Sequence, residues 1–322
     1  MQEPPYRTYS RYLRERHGCA AYRVAVDAGF TCPNRSGGRA GPGCAYCSED
    51  GSRAPHVQDG QSLEAQVRQS IRRLRARRSS AALILYFQAF SNTNAPVERL
   101  RALYERGLEV DEFRGLNVAT RPDCIDEAKA DLLADFQRRG LDVWVELGLQ
   151  SGHDETLRRI DRGHTVQQFR DACGVLKGRG LKVAAHLIFG LPGEGRTEIL
   201  QTVSLVAGLG VDGVKIHNLH VPHGTPMARE LLKGELAVPG PWSHLEHVIA
   251  ALERLPAAVV IMRLVCETPA DRLAAPRGFW PKGVFTARLA AEMRRRGAYQ
   301  GRLVGASAGG SSPSGRLSQP IA

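Results

Sequence analysis

The sequence predicts an α/β protein in which parallel strands form either a barrel or an open sheet. Short apolar runs alternate with amphipathic helical segments from about residue 22 to residue 220, which is the pattern of successive strand–helix–strand units. Most of these runs are apolar on both faces, as expected for a buried parallel sheet. Six such runs are too few for a complete eight-unit barrel.

Each predicted element has a defined span. The strands are expected at 22–26, 83–87, 116–120, 143–147, 183–189 and 213–219. The helices between them are expected at 61–78, 96–107, 125–139, 165–179 and 196–208. Pro96 suits the first position of a helix because no N–H is needed there. Thr165 suits an N-cap because its hydroxyl can accept a backbone N–H.

The chain of 322 residues divides into three predicted parts. Residues 1–230 hold the six strands, with 1–21 as a lead-in, and 231–303 form a smaller α/β extension. The extension is expected to contain helices near 241–254 and 284–296 and a strand at 258–265. The last part, 304–322, is rich in Gly, Ser and Pro and has almost no large apolar residues. We expect a disordered tail there, because so little apolar surface cannot offset the ordering entropy.

Charge and composition bear on partners and location. The formal net charge is +11, which suits a polyanionic partner such as RNA, although an Arg-rich surface needs no partner. Arginines crowd the predicted helix 61–78 and recur at 294–296, but clusters of this kind also occur on solvated helix faces. No run approaches the about 20 apolar residues of a membrane span, and the N-terminus lacks the apolar segment of a signal peptide. We therefore expect a cytoplasmic protein without membrane association.

The stretch CPNRSGGRAGPGCAYC places Cys32, Cys44 and Cys47 directly after the first predicted strand, at the carboxyl end of the sheet. The odd total of seven cysteines and their clustering favour metal or redox chemistry over disulfides. Zinc needs a fourth ligand, and the nearby Cys19 and His17 precede the strand, which separates them from the loop. A four-iron cluster with one open iron fits three thiolates. From the spacing of the cysteines alone, a zinc site stays an alternative to the cluster.

Several motifs resemble the radical S-adenosylmethionine (SAM) superfamily. CAYC at 44–47 has an aromatic before its last cysteine, as in that superfamily, although eleven residues rather than three separate the first two cysteines. VELGLQSGHDETLRRIDRGHT (145–165) and AHLIFGLPGE (185–194) resemble signatures of its coproporphyrinogen-dehydrogenase-like and elongator-like branches. VAVDAGFTCPNRSG, YFQAFSNTNAP, ATRPDCI, GVKIHNLHVPHGTPMA and APRGFWPKGV together are similar to the YtqA/YhcC-type family.

The resemblance implies a partial (β/α)6 radical SAM barrel that holds a [4Fe–4S] cluster and S-adenosylmethionine. Cys32, Cys44 and Cys47 would bind the cluster, whose open iron binds the amino and carboxylate groups of SAM. Reductive cleavage of SAM then yields a 5′-deoxyadenosyl radical that abstracts hydrogen. The residues expected to contact SAM are Gln88, Asn92, Glu146, Gln150, Ser151, Ile188, Gly190 and Leu219. Glu146 has a second interpretation, because a carboxylate inside a buried strand can simply be paired with an arginine.

The family resemblance also implies a tRNA substrate. Members of the YtqA type are implicated in converting a carboxymethylaminomethyl group on C5 of wobble uridine to aminomethyl. A suitable route is hydrogen abstraction from the glycine-derived methylene, oxidation to an imine and hydrolysis. An electron donor such as flavodoxin or ferredoxin is a further expected partner. The alternatives are a radical SAM enzyme acting on a small porphyrin-like molecule and, in another class, a zinc-stabilised RNA-binding protein.

Other polar residues have two interpretations each. Arg121, after the third strand, either pairs with a carboxylate of SAM or substrate or belongs to a turn. Three histidines at 217, 220 and 223 are unlike a metal site, because residues three apart on a strand point to opposite faces. The segment expected to cover the barrel mouth holds Arg263, Glu267, Trp280 and Lys282. Trp280 could stack on a base or fill the core.

Overall fold

A parallel sheet of seven strands, curled into a half-barrel, forms the centre of the protein. The computed structural model describes residues 3–35, 38–48, 51, 53, 60–78 and 81–304. Its strands are β1 Ala21–Val26, β2 Ala82–Phe87, β3 Phe113–Thr120, β4 Asp142–Gln150, β5 Lys182–Phe189, β6 Gly213–Asn218, β7 Val221–Pro222, β8 Val260–Arg263 and β9 Leu273–Ala275. The large sheet has the order β1-β2-β3-β4-β5-β6-β8, and β7 pairs with β9 in a separate small sheet. The predicted disordered tail, 304–322, lies outside the described residues apart from Val304.

The predicted α/β class and all six predicted strands are confirmed. The strand expected within the C-terminal extension, at 258–265, is β8, and it pairs with β6 in the same parallel sheet. The extension is therefore continuous with the sheet through backbone hydrogen bonds. The division at residue 230 stays a prediction.

Helices connect successive strands and cover the outer face of the sheet. They are α1 Tyr9–His17, α2 Leu63–Arg75, α3 Val97–Leu108, α4 Glu127–Arg138, α5 Asp154–Arg159, α6 Val166–Lys177, α7 Arg196–Gly208, α8 Pro226–Leu232, α9 Pro241–Leu252 and α10 Lys282–Arg295. Thr165 caps α6 as predicted, in a capping box with Gln168. Pro96 is the N-cap of α3 rather than its first residue, because its ψ of 148° is extended. None of the helices in the described part is long and apolar enough to cross a membrane.

The N-terminal segment closes the amino end of the half-barrel. Thr8 bridges Ile261 of β8, and the Ile261 N–H donates to the Arg7 carbonyl at 2.8 Å. Helix α1 then places Tyr9 and Tyr12 edge-on against Trp144 inside the sheet, with ring centroids 6.0 and 5.2 Å away. Aromatic packing thus fills the interior at the amino end of the strands, and the cavity described below lies toward their carboxyl ends.

A polar layer lies above this aromatic plug. Side chains that alternate inward along each strand form it, since residues two apart share a face. Its members are Arg23, Tyr86, Asn117, Glu146, His186 and Lys215. The layer forms the floor of the cavity described next.

Candidate active site

A cavity of about 620 Å³ opens at the carboxyl edge of the large sheet. Its wall takes residues from the ends of β1 to β6, from the loop after β1 and from the segment after β8. All three predicted cluster ligands, Cys32, Cys44 and Cys47, line it. Ligands of parallel α/β proteins bind at this edge of the sheet. Cys19 and His17 line a separate hollow with residues that precede β2 and β3, at the opposite edge, as the sequence predicts.

Backbone hydrogen bonds hold the second part of the cysteine loop in place. The Cys47 N–H donates to the Cys44 carbonyl at 2.9 Å, which makes a tight turn of CAYC. Ala45, inside that turn, donates to the Ile160 carbonyl at 2.9 Å and accepts from the Met227 N–H at 3.1 Å. The loop is therefore fixed between the end of α5 and the start of α8.

Two arginines donate hydrogen bonds to the cysteine sulfurs. Arg35 Nη2 lies 3.2 Å from Cys47 Sγ, and Arg162 Nη1 lies 3.6 Å from Cys44 Sγ. Burial raises the pKa of Cys44, but Arg162, Arg121 and Asn34 together outweigh it, so this pKa is below the ordinary thiol value. Burial and the Cys44 charge raise the pKa of Cys47, against the effect of Arg35. Both arginines favour thiolates, the form of cysteine that binds metals.

The arrangement of the thiols fits a cluster better than a single ion. No three His, Cys, Asp or Glu side chains converge on one ion position within the described ranges. A zinc ion needs such convergence, whereas the thiolates of an iron–sulfur cluster bind separate irons. Three thiols in the wall of one cavity, with cationic donors at two of the sulfurs, thus match the donor chemistry of a [4Fe–4S] cluster.

Glu146 is the centre of the polar layer on the cavity floor. It has no exposed surface, and its Oε2 accepts from Lys215 Nζ at 2.7 Å, Tyr86 Oη at 2.7 Å and His186 Nε2 at 2.8 Å. Its Oε1 accepts from Asn117 at 3.2 Å and Arg23 at 3.3 Å. Both carboxylate oxygens are therefore engaged by the protein itself. The structure therefore agrees with the interpretation that Glu146 is a buried carboxylate paired with an arginine, and it adds a lysine and a histidine as partners.

Burial and charge shift the pKa values in this layer. Burial alone would raise the pKa of Glu146, but Lys215, His186 and Arg23 hold it well below the usual value. Burial, followed by the charges of Arg263 and Arg23, lowers the pKa of Lys215 to about 7, against the opposing effect of Glu146. Burial lowers the pKa of His186 to about 4, so this imidazole is neutral and donates to Glu146.

The residues predicted to contact SAM fall into two groups. Those that line the cavity are Gln88, Glu146, Gln150, Ile188 and Leu219. Gln150 has a φ of 76°, beside a register shift between β4 and β5. Such strain and irregularity at a strand end are typical of functional sites.

The other three, Asn92, Ser151 and Gly190, do not belong to the described lining. Asn92 Nδ2 donates to the carbonyls of Phe87 and Ala119, the latter at 2.7 Å, and so links β2 to β3. Ser151 donates to Glu194. Gly190 has a φ of 92°, and a Cβ there would lie 2.8 Å from the Pro239 side chain. These residues shape the strand ends, and a role in SAM binding stays a prediction for them.

Sequence reasoning missed several cavity residues, although a signal existed for some. Arg23 and Lys215 are charged residues inside apolar strand runs, the same signal that identified Glu146. Arg35 and Arg162 lie in loops, and only the fold brings them to the cysteines. Arg121 lines the cavity, but its guanidinium binds Asp123 at 2.8 Å and the Arg162 carbonyl at 2.7 Å, so the turn interpretation accounts for its contacts.

The two arginine clusters lie away from the cavity. Arg75, in the first cluster, pairs with Asp111 at 2.9 Å in the hollow at the amino edge of the sheet. Arg295 and Arg296, in the second, pair with Glu292 at 2.6 Å. No arginine of either cluster belongs to the described lining of the cavity.

The comparisons with known proteins agree with this site. The pattern of the radical SAM superfamily matches residues 31–206, more than half of the chain. The chain belongs to the radical SAM superfamily. The pattern of the radical SAM C-terminal domain matches residues 211–295. As a member of this superfamily, the protein is an enzyme that uses SAM and a [4Fe–4S] cluster. A non-enzymatic zinc-stabilised RNA-binding protein is therefore excluded.

Similar radical SAM proteins include YtqA and YhcC, as the motifs predict. YtqA of Bacillus subtilis strain 168 is 36% identical over 301 residues, which cover 94% of this chain and 93% of YtqA. YhcC of Escherichia coli K12 is 41% identical over 225 residues, 70% of this chain and 71% of YhcC. A protein named tRNA uridine(34) acetyltransferase, from Dehalococcoides mccartyi, is 31% identical over 165 residues, 50% of this chain and 35% of its own length.

A solved structure confirms the fold. The archaeal Elp3 of Methanocaldococcus infernus, with its N-terminus deleted, superposes with a TM-score of 0.65 at 22% identity. The match covers 74% of this chain and 60% of that one. At this identity the likeness concerns the half-barrel architecture alone.

Proposed function

We propose that this radical SAM enzyme modifies the wobble uridine of tRNA, converting a carboxymethylaminomethyl group on C5 into aminomethyl. The observation that carries the proposal is the charge of the cavity, whose described lining holds eight basic residues against two acidic ones. The basic residues are Arg23, Arg35, Arg53, Arg121, Arg162, Arg263, Arg272 and Lys215, and the acidic ones are Glu146 and Glu267. Such a surplus of positive charge favours an anionic substrate, and the proposed group carries a carboxylate next to the phosphates of RNA.

The chain's own residues would hold the cofactors in that cavity. Cys32, Cys44 and Cys47 would bind the cluster, with Arg35 and Arg162 stabilising two of the thiolates. When bound, the cluster and SAM supply a 5′-deoxyadenosyl radical for hydrogen abstraction. The wall residues Gln88, Gln150, Ile188 and Leu219 would enclose SAM, and the aromatic plug below the floor excludes water from that side. We assign the reaction to the cytoplasm, with flavodoxin or ferredoxin as the electron donor.

Two further observations support a tRNA substrate. One relative is named for its action on uridine 34 of tRNA, the wobble position. An aromatic patch, formed by Trp242, Trp280 and Arg288, lies at the same end of the sheet as the cavity. The Trp242 and Trp280 rings meet at 4.7 Å, and Arg288 lies 4.3 Å over Trp280. Trp242 is exposed, whereas Trp280 is half-buried against the core. An exposed aromatic ring beside an arginine is typical of surfaces on which bases stack.

The test is a mass-spectrometric census of tRNA nucleosides from cells with and without this gene. We expect cells without the gene to accumulate carboxymethylaminomethyl-uridine and to lose the aminomethyl-derived product. The wild-type gene should restore the product, and Cys44→Ala should not, because it removes a proposed cluster ligand. Cys19→Ala is the matched control and should restore it, since Cys19 is exposed at the opposite edge of the sheet.

An unchanged census would contradict the tRNA proposal, provided that the cells make these nucleosides and have no second route to them. Membership in the superfamily would stand in that case. The cationic cavity would then point to a small polycarboxylate, such as a porphyrin, as the substrate.

A further inference from the structure

Arg263 is a cavity arginine whose side chain has no anionic partner among the described residues. It ends β8 and lines the cavity, yet no hydrogen bond or ion pair of its side chain is found in the parts of the chain that the structure describes. The two acidic residues of the lining are engaged elsewhere. Glu146 binds Lys215 and Arg23, and Glu267 accepts the backbone N–H of Lys282 at 2.8 Å.

A β-bulge directs Arg263 into the cavity. Val260 and Met262 pack in the interior cluster, whereas Ile261 packs in the outer core. Strict alternation would therefore point Arg263 outward. The register instead moves from Val214–Ile261 to Lys215–Arg263, so Met262 is an extra residue. Arg263 thereby shares the inward face of Lys215, as bulges beside active sites re-aim side chains.

The positive charge around Arg263 is unbalanced. Burial and then the charges of Arg263 and Arg23 lower the pKa of Lys282, against the opposing effect of Glu267. The charge of Arg263 also lowers the pKa of Lys215. Four cationic side chains thus influence one another beside two carboxylates, those of Glu146 and Glu267. Repulsion of this kind is relieved when an anion binds between the charges.

We propose that Arg263 provides an oxoanion site that binds the carboxylate of the carboxymethylaminomethyl group, an inference that rests on the proposed function. A guanidinium binds a planar carboxylate through two parallel N–H bonds. The product has lost this carboxylate. It therefore loses the contact, so the same site distinguishes substrate from product and favours product release.

Calorimetric titration of the anaerobic, cluster-loaded protein tests this site. The probes are the nucleosides 5-carboxymethylaminomethyluridine and 5-aminomethyluridine, inorganic phosphate and SAM. We compare wild type, Arg263→Met and Arg263→Lys, with Arg73→Met as the matched control on the exposed part of α2. Arg263→Met should weaken binding of the carboxymethylaminomethyl nucleoside by roughly tenfold to a hundredfold, the range for one charged hydrogen-bonded contact. Arg263→Lys should be intermediate, and Arg73→Met should match wild type.

Aminomethyluridine and SAM should bind all variants alike. Arg263-dependent binding of phosphate without binding of either nucleoside would support the oxoanion site while contradicting the uridine substrate. Loss of SAM binding alone would overturn the assignment to substrate, because the anion would then be the carboxylate of SAM. Equal binding of the carboxymethylaminomethyl nucleoside by wild type and both Arg263 variants, or no Arg263-dependent binding of any probe, would overturn the site altogether.

Discussion

Single residues in this protein show what a sequence reveals about a buried charge. Glu146 stands out in the sequence because an isolated carboxylate is costly inside a strand. In the structure, hydrogen-bond donors from strands β1, β2, β3, β5 and β6 offset this cost, and they include Arg23 and Lys215. The need for a partner follows from the residue itself. The identity of the partners follows only from the curvature of the sheet, which brings distant strands together.

Lys215→Met should destabilise the protein because it leaves Glu146 buried with one fewer cation. Breaking a buried ion pair by removing one partner costs on the order of 3 kcal/mol. Arg23 still donates to the carboxylate at 3.3 Å and limits the loss. The free energy of unfolding, measured by chemical denaturation of the anaerobic protein, gives the effect.

Two further variants control for this effect. Lys215→Met combined with Glu146→Gln should regain part of the stability, because the unpaired charge is gone. Lys233→Met, at an exposed lysine, should change little. Additive losses in the double variant would show that Lys215 and Glu146 do not act as a pair.

At the scale of elements, the C-terminal helices bring aromatic residues to the rim of the cavity. Helix α9 begins with Pro241 and Trp242, just after Pro239 packs on Gly190 at the end of β5. Trp280 precedes α10, whose first N–H binds Glu267 of the cavity wall. The starts of both helices thus lie at the carboxyl edge of the sheet. The sequence left open whether Trp280 stacks on a base or fills the core. The structure packs its half-buried ring against the core beside Phe285, and Trp242 contacts it from the surface.

Under the proposed function, Trp242→Ala should weaken tRNA binding. Trp242 is 58% exposed, and loss of one base–aromatic stack costs about 1–3 kcal/mol, roughly a tenfold change in affinity. Electrophoretic mobility shift or fluorescence anisotropy with tRNA measures it at fixed salt. Tyr299→Ala is the matched control, since Tyr299 is 55% exposed and follows the end of α10, at its far end. Equal losses in both variants, or none in Trp242→Ala, would contradict a stacking role.

At the scale of the whole molecule, buried histidines couple stability to pH. Burial lowers the pKa values of His186, His220 and His244 to about 4, whereas an unfolded histidine titrates near 6.5. Between these values the unfolded chain binds more protons than the folded one. Stability is therefore complete above about pH 6.5 and falls as the pH drops toward 4.

His244→Gln should flatten this dependence. His244 is buried, and its Nε2 donates to the Leu264 carbonyl at 2.8 Å, a bond that the amide of glutamine can replace without titrating. Denaturation at several pH values from about 7 to 4.5 gives the slope of the free energy of unfolding against pH, which should be shallower in the variant. His223→Gln, at an exposed histidine, should leave the slope as in wild type. Parallel slopes for His244→Gln and wild type would refute the coupling.

The sequence by itself determined the parallel α/β class, the spans of the main strands and helices and the loop of three cysteines at the carboxyl edge. These features depend on local periodicity, on capping residues and on the spacing of a few motifs. Helices α1, α5 and α8 escaped the sequence analysis, since tertiary contacts rather than a long amphipathic pattern stabilise them.

Only the tertiary structure decided how the cavity is built. It placed Arg35 and Arg162 at the thiols, moved both arginine clusters away from the site and joined β8 to the sheet. A single extra residue in β8 turned Arg263 inward, an outcome that depends on strand register. Register is set by the pairing of strands far apart in the chain, so no local pattern could reveal it.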